Sequence, residues 1–179
     1  MSPLRLLGTW DFRREVTHAD GSRYTATGQA HLRRLDDGRV RWDEHGTLRW
    51  EAGSTPVSRT LYLVPAPASA PPAPEPDWRV TFEDGRDFHP WTPGAVEHLC
   101  GRDLYRGDLD VPAGPAASAG PASAVVVRPA SAVVVRPPSW ELDWHVTGPE
   151  KDYEMRTRYT VPPDTALPFE TEVASLSAL

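Results

Sequence analysis

The sequence predicts an all-β domain that closes as a single antiparallel barrel. Short stretches in which apolar and polar residues alternate follow one another along the 179-residue chain, with Gly-, Asp- and Pro-containing turns between them. No long window shows the 3.6-residue period of an amphipathic helix. Small residues at Ala26, Gly28 and Ala30 allow a long strand to bend sharply, which favours a barrel over a sandwich.

Roughly eight to ten short strands are expected, each with one apolar face that must be covered by stacking or by closure. In chain order the alternating stretches are 9–17, 23–35, 39–51, 57–64, 77–84, 85–91, 96–107, 140–146 and 153–161. Residues 36–38, Asp-Asp-Gly, are a hairpin signal because Asp and Gly tolerate positive φ. The His45-Gly46 pair interrupts the third stretch and suggests a β-bulge there.

Two Pro/Ala-rich segments, 65–76 and 112–138, stand apart from this pattern. The second contains a tandem repeat, PASAVVVR, at 121–128 and again at 129–136. We expect both segments to be flexible surface insertions in one barrel domain that spans 5–162 and is followed by a C-terminal tail, 163–179. The alternative is that the two AVVVR runs add a hairpin or an edge strand.

Composition restricts the possible partners. A net charge of −6 and a pI near 5.5 argue against nucleic-acid binding, which needs a basic face. Cys100 is the only cysteine, so no intrachain disulfide can form. The apolar run at the N-terminus is too short for a signal peptide or a membrane span. We therefore expect a cytoplasmic protein with a small-molecule ligand and no membrane partner, and the oligomeric state stays open.

Four motifs carry a family resemblance: LLGTW, with Gly8 and Trp10, then VTFEDGRDFH, EHLCGRDLY and WHVTGPEKDYEMRTRY. In order and spacing the chain resembles a bacterial lipocalin-like family of the calycin type, catalogued as domain of unknown function 6314, over residues 5–160 apart from the two insertions. The resemblance implies a barrel and no established activity. Its matching positions after the first motif are Asp84, Gly85, Arg86, Phe88, His89, His98, Cys100, Asp103, Tyr105, Gly148, Pro149, Lys151, Asp152 and Tyr153.

Several polar residues share a strand face with apolar ones and are therefore expected inside the barrel. Arg59 is in phase with Leu61, His98 with Val96, and Arg14 and Glu44 with tryptophans of their own strands. A buried charge must be paired or must bind something. One interpretation is an internal Arg–Glu pair with a hydrogen-bonded core histidine. The other is a partly wet interior that binds a polar or anionic small molecule around Arg59.

The candidate ligand-binding residues are Arg59, His89, His98, Tyr105, Lys151, Tyr153 and Tyr159. An alternative function is an isomerase- or hydrolase-type enzyme that uses the same interior, with His98 or His89 as general base and Asp103 or Tyr105 as its partner. A third possibility is a scaffold for a partner domain.

Cofactors are not expected. The spacing of His89, His98 and Cys100 matches no zinc pattern. A haem would need an axial histidine, for which His98 and His145 are the candidates, but no further signal supports it.

Lys151 is the only lysine in the chain, and every other basic side chain apart from histidine is arginine. It follows a predicted turn at Gly148-Pro149, at the start of the last strand. Lysine is a compact point charge on a thin stem, so it suits a tight contact better than arginine does. We expect either an ion pair with Glu44 or Asp103, or a ligand contact at the rim of the barrel.

Overall fold

Ten antiparallel strands form one sheet in the computed structural model, which describes residues 1–66, 77–112 and 137–163. The strands are β1 (Gly8–His18), β2 (Arg23–Arg34), β3 (Val40–Trp50), β4 (Gly53–Pro65), β5 (Trp78–Phe82), β6 (Asp87–Pro90), β7 (Gly94–Cys100), β8 (Asp103–Asp110), β9 (Ser139–Thr147) and β10 (Asp152–Thr160). Their order in the sheet is β6-β5-β4-β3-β2-β1-β10-β9-β8-β7.

The sheet curls into a nearly closed barrel, which confirms the predicted all-β fold. Its two end strands, β6 and β7, meet through side chains: the rings of Phe88 and His98 lie 4.9 Å apart across the gap. A closed or nearly closed sheet presents one face to an enclosed core. Residues in phase with Trp10 along β1 and with Trp42 along β3 therefore face inward.

One end of the barrel is closed. A 3₁₀ helix (Pro3–Leu6) packs at the start of β1, where Leu6 and Trp10 are both fully buried. The indole Nε1 of Trp10 donates to the carbonyl oxygen of Leu6 at 2.7 Å, and the ring meets Trp140 edge-on at 6.2 Å. Trp10 therefore lies inside one end of the barrel, and we call this the closed end.

The opposite end carries the turns 19–22, 51–52, 83–86, 101–102 and 148–151, and we call it the open end. Inward-facing apolar side chains are only half-buried as they approach it. These side chains are Val16, Tyr24, Leu48, Val57, Tyr105, Tyr153 and Met155. The inward-facing side chains are therefore fully buried toward the closed end and partly exposed toward the open end.

The predicted bulge at His45-Gly46 is wrong. β3 pairs with both neighbours without a register shift, and Gly46 lies directly opposite Gly28 of β2. A Cβ on Gly28 would overlap the His45 carbonyl oxygen, and one on Gly46 would overlap that of Thr27. The two glycines let the strands approach closely where the sheet curves, and the Phe12 ring packs over Gly46.

The two Pro/Ala-rich segments connect neighbouring antiparallel strands. Pro65 of β4 pairs with Trp78 of β5, and Asp110 of β8 pairs with Glu141 of β9. All four strand ends lie at the closed end of the barrel. Residues 67–76, 113–136 and 164–179 fall outside the described part of the chain, so the expected flexibility of the insertions and the tail stays a prediction. Within the described part, no helix has the length and apolar character to cross a membrane.

Candidate functional site

A carboxylate lies at the centre of the barrel interior. Glu44 of β3 is 2% exposed and accepts hydrogen bonds from Arg14 on β1, Arg59 on β4 and Tyr159 on β10. Arg14 Nη2 lies 2.8 Å from Glu44 Oε2, and Arg59 Nη2 lies 2.8 Å from Oε1. The Tyr159 hydroxyl donates to Oε1 at 2.5 Å. Four strands are thus joined through one side chain.

The electrostatics of this group keep it charged. Burial by itself raises the pKa of Glu44, but Arg59, Arg14 and the Tyr159 hydroxyl outweigh it and lower the pKa to about 2. Burial works against the charged guanidinium of Arg14, yet the neighbouring carboxylate raises its pKa above the ordinary value. Burial and the Glu44 charge raise the pKa of Tyr159, which keeps its hydroxyl neutral. The internal Arg–Glu pair of the sequence analysis is present, with a second arginine added.

The second arginine leaves the group with one net positive charge, because two guanidiniums share one carboxylate. Arg14 also donates from Nε to Thr157 Oγ1 at 2.9 Å. Arg59 makes no such contact: its Nε is buried and has no hydrogen-bond partner among the described residues. The Arg59 guanidinium lies 5.3 Å from the Trp42 ring centroid, and 27% of its side chain is exposed. Arg59 is therefore the cation with unused hydrogen-bonding capacity.

His89 lies in the same interior because of a β-bulge. Val80 of β5 pairs with His89 and Thr81 with Asp87, so Phe88 is an extra residue between them. A bulge re-aims side chains, and here both Phe88 and His89 contact Trp144, at ring distances of 5.2 Å each. His89 is 3% exposed. Strict alternation would have directed only one of these two residues inward.

The ring of His89 has a defined tautomer. Its Nδ1 lies 2.8 Å from the Pro90 carbonyl oxygen, which can only accept, so Nδ1 carries the proton. Burial lowers the pKa to about 4, and the charge on Arg59 adds to the shift. The ring is neutral at pH 7, and its Nε2 is a buried lone pair without a partner in the described structure.

His98 of β7 has a similar arrangement. Burial lowers its pKa, and a hydrogen bond with the Phe88 backbone offsets part of the shift. Its Nε2 is also buried without a partner among described atoms. The ring lies 4.9 Å from Phe88, 5.8 Å from Phe82 and 6.0 Å from Tyr105. His98 and Tyr105 thus belong to a cluster of aromatic side chains that lies where β6 meets β7, toward the open end.

Indole nitrogens add donors to this interior. Among the described residues, five buried Nε1 atoms have no hydrogen-bond partner, those of Trp42, Trp78, Trp91, Trp140 and Trp144. A buried polar group without a partner is costly, and buried tryptophan N–H groups usually find one. The interior therefore offers more hydrogen-bonding capacity than the protein uses.

Lys151 lies at the open end and pairs with Asp103, one of the two acids that the sequence analysis names. Its Nζ is 2.7 Å from Asp103 Oδ2 and donates to the Tyr105 hydroxyl at 3.0 Å. These two hydrogen bonds raise the pKa of Lys151. Asp103 packs so closely on Gly148 that a Cβ there would overlap its Oδ1. Lys151 thus fastens the β9–β10 turn to the start of β8.

The remaining candidates divide between interior and surface. Tyr153 lies beside His18 at the open end, and burial and Tyr105 raise its pKa to about 12. Tyr159 is fully buried and stacks on Trp140 with the ring centroids 3.7 Å apart. The motif residues Asp84, Gly85 and Arg86 form the β5–β6 turn, and Gly148, Pro149 and Asp152 lie in or beside the β9–β10 turn. Arg59 thus belongs to the Glu44 group, His89, His98 and Tyr105 lie among aromatic side chains, and Lys151 lies at the rim.

Metal and haem interpretations gain no geometric support. No group of three or more His, Cys, Asp or Glu side chains in the described residues is arranged to hold a metal ion. His145, one of the two histidines considered for haem, is 55% exposed on the outer face beside Asp152. It cannot act as an axial ligand inside the barrel.

Sequence reasoning missed the aromatic partners of the histidines. Phe88 and Trp144 had no assigned role, although Phe88 belongs to a matched motif. The available signal was the adjacent pair Phe88-His89 in a short strand before proline, a pattern compatible with an edge bulge.

The family comparison agrees with the motifs. The model of a family of unknown function (DUF6314) matches residues 6–161. The chain belongs to this family. The match within DUF6314 covers every strand of the barrel and all the candidate residues. No curated protein matches the chain.

Solved structures similar to this DUF6314 barrel are distant in sequence. A de novo designed fluorescence-activating β-barrel is 16% identical with a TM-score of 0.40, over 90% of this chain and 100% of that one. The S-type phycobiliprotein lyase CPES from Guillardia theta is 10% identical with a TM-score of 0.44, over 88% of this chain and 87% of that one. Similarity at this level says nothing about function.

Proposed function

We propose that this barrel binds a small polar or anionic molecule in its interior and admits it through the open end. The observation that carries the proposal is the buried, unpartnered Nε of Arg59 beside a charge group with one positive charge in excess. A guanidinium presents its donors in a planar fork that suits carboxylate or phosphate oxygens.

Charge balance supports an anion. Arg14 donates to Glu44, Thr157 and Tyr159, whereas Arg59 shares the carboxylate and keeps a buried Nε without a partner among the described residues. An excess charge inside a protein is unfavourable unless a counter-charge or solvent reaches it, and Arg59 is only partly solvated because 27% of its side chain is exposed. A bound anion at Arg59 would supply both the counter-charge and the missing acceptor.

The shape of the barrel supports access. Tyr24, Leu48 and Met155 face inward near the open end but are only half-buried, and the turns there are short. Small-molecule sites are typically concave and mostly apolar, with a few convergent polar groups. The half-buried apolar side chains and the inner polar group match that description.

Native mass spectrometry of protein purified from its own host tests the proposal. We expect a retained small molecule on the wild type and its loss from Arg59→Gln. Arg13→Gln is the control, because Arg13 lies on the surface in an ion pair with Glu15. Circular dichroism establishes that each variant is folded. An empty wild-type barrel, or equal retention by folded Arg59→Gln, would refute the proposal.

A further inference from the structure

The two interior histidines offer acceptors, whereas Arg59 offers a donor. His89 Nδ1 is committed to the Pro90 carbonyl, so its Nε2 presents a lone pair. That atom belongs to a residue that is only 3% exposed. A simple anion would satisfy Arg59 and leave this lone pair without a donor. The site therefore presents both an unpaired hydrogen-bond donor and an unpaired hydrogen-bond acceptor among the described residues.

Aromatic rings lie beside both groups: the Arg59 guanidinium is 5.3 Å from the Trp42 ring centroid, and Phe88 and Trp144 lie beside His89. Phe88 stacks on Trp144 at 5.2 Å with an interplanar angle of 25°, and the His89 ring meets the same indole at 5.2 Å. Phe82 lies 4.8 Å from Phe88. Flat rings pack well against such walls, by stacking or edge-on.

We propose that the ligand is an aromatic acid that also carries a hydroxyl group, with the acid group at Arg59 and the hydroxyl donating to His89 Nε2. This rests on the proposed function and specifies its ligand class. A hydroxyl matches the lone pair of His89, the acid group matches the cation, and the ring matches the walls formed by Phe88 and Trp144. Aliphatic acids and inorganic phosphate each leave at least one of these features unmatched.

The electrostatic coupling of the two polar groups supports one shared site. The charge of Arg59 contributes to the lowered pKa of His89, after the larger effect of burial. Both side chains also face the barrel interior, where Arg59 pairs with the buried Glu44 and His89 contacts the buried Trp144.

Isothermal titration calorimetry with three probes tests the ligand class: benzoate, 2-hydroxybenzoate and 4-hydroxybenzoate. We expect the wild type to bind at least one hydroxybenzoate about tenfold more tightly than benzoate, since one added hydrogen bond to a buried acceptor has that effect. His89→Phe keeps an aromatic ring and removes the acceptor. In His89→Phe the ratio of the affinities for hydroxybenzoate and benzoate should be close to one, while benzoate still binds.

Two further variants make the test specific. His145→Phe changes a histidine on the outer face and should leave the ratio as in the wild type. His89→Gln supplies an amide oxygen and should restore part of the preference, which also covers the case in which His89→Phe fails to fold.

The outcomes separate this inference from the proposed function. Equal binding of benzoate and both hydroxybenzoates, or a preference that survives in His89→Phe, overturns the ligand class and leaves the proposed function standing. The same holds if no probe binds while native mass spectrometry shows a molecule retained through Arg59. An empty barrel that binds no probe, with only an ordered water at His89 Nε2, overturns both.

Discussion

Glu44 holds two guanidinium groups and a tyrosine hydroxyl inside the barrel. Glu44→Gln keeps the shape of the side chain and removes its charge, so both arginines lose their counter-ion. We expect the free energy of unfolding to fall by about 3–5 kcal/mol, the usual cost of breaking a buried ion pair from one side. Urea denaturation measures the loss.

Glu15→Gln is the matched control for Glu44→Gln. Glu15 pairs with Arg13 at the surface, where both side chains are largely exposed, so the change should be close to zero. If Glu44→Gln is as mild as this control, then Arg14 and Arg59 are solvated and the buried charge group has little energetic weight.

Acid should destabilise the barrel in two steps. Between about pH 6.5 and 4 the unfolded chain protonates His89 and the native state does not, so stability falls as pH falls, by about 3 kcal/mol. Between about pH 4.5 and 2 stability falls further as pH falls. The unfolded chain protonates Glu44 in this range, whereas the lowered pKa of the native carboxylate, about 2, keeps it charged.

Chemical denaturation from pH 7 to pH 4 checks the first step. His89→Gln cannot titrate, so its stability should change less over that range than that of the wild type. Equal slopes for the two proteins would show that His89 is hydrated in the native state.

Lys151→Arg should lower the free energy of unfolding by up to about 1 kcal/mol, because the pair with Asp103 is partly exposed and screened. The larger planar guanidinium must replace both the ion pair and the hydrogen bond to Tyr105. Thermal unfolding at low and high salt measures the effect. Arg86→Lys, at a largely exposed turn position, is the control. No change in Lys151→Arg would mean that the contact with Asp103 and Tyr105 does not require a lysine.

At the scale of elements, the curvature of the barrel depends on the Gly28–Gly46 contact. Gly28→Ala places a Cβ on top of a backbone oxygen of β3, which cannot move without separating the strands. We expect a loss above about 3 kcal/mol, at the high end for single substitutions. Thermal and urea unfolding both report it.

Gly53→Ala is the matched control for Gly28→Ala. Its new Cβ would meet only the Trp50 side chain, at 3.4 Å, so its effect should stay within about 1 kcal/mol. A mild Gly28→Ala would mean that β2 and β3 separate easily and that the curvature has another origin.

At the scale of the whole molecule, the long connection between β8 and β9 should be dispensable. Asp110 and Glu141 are paired neighbours, so a short turn can join the strands in place of residues 113–136. Loop length affects stability only weakly, and the melting temperature should change little. Ligand retention should also persist, because these strand ends lie at the closed end.

Calorimetric melting and native mass spectrometry of the shortened chain check this prediction. Deletion of one PASAVVVR copy, 121–128, is the milder companion variant. A loss beyond about 2 kcal/mol in either protein would mean that the segment takes part in the fold.

The strand pattern and the inward positions followed from the sequence. Trp10, Trp42 and Trp140 alternate with polar residues. Because successive side chains of a strand point to opposite faces, this alternation determines which face of each strand is turned toward the core. The same parity placed Arg14, Glu44 and Arg59 inside, because a charged residue in phase with tryptophans must share their face. Local turn chemistry placed the turns at Gly38, Gly85 and Gly148.

Only the tertiary structure decided which inward residues meet. The sequence offered two acids, Glu44 and Asp103, as partners for Lys151. In the structure the β7–β8 and β9–β10 turns lie together, and Lys151 pairs with Asp103. Alternation also failed at Phe88-His89, because a bulge shifts the period of two by one residue. Partners across a barrel depend on how strands stagger and close, and residues far apart in the chain set that stagger together. The sequence by itself determined which faces are buried, and closure of the sheet determined what those faces enclose.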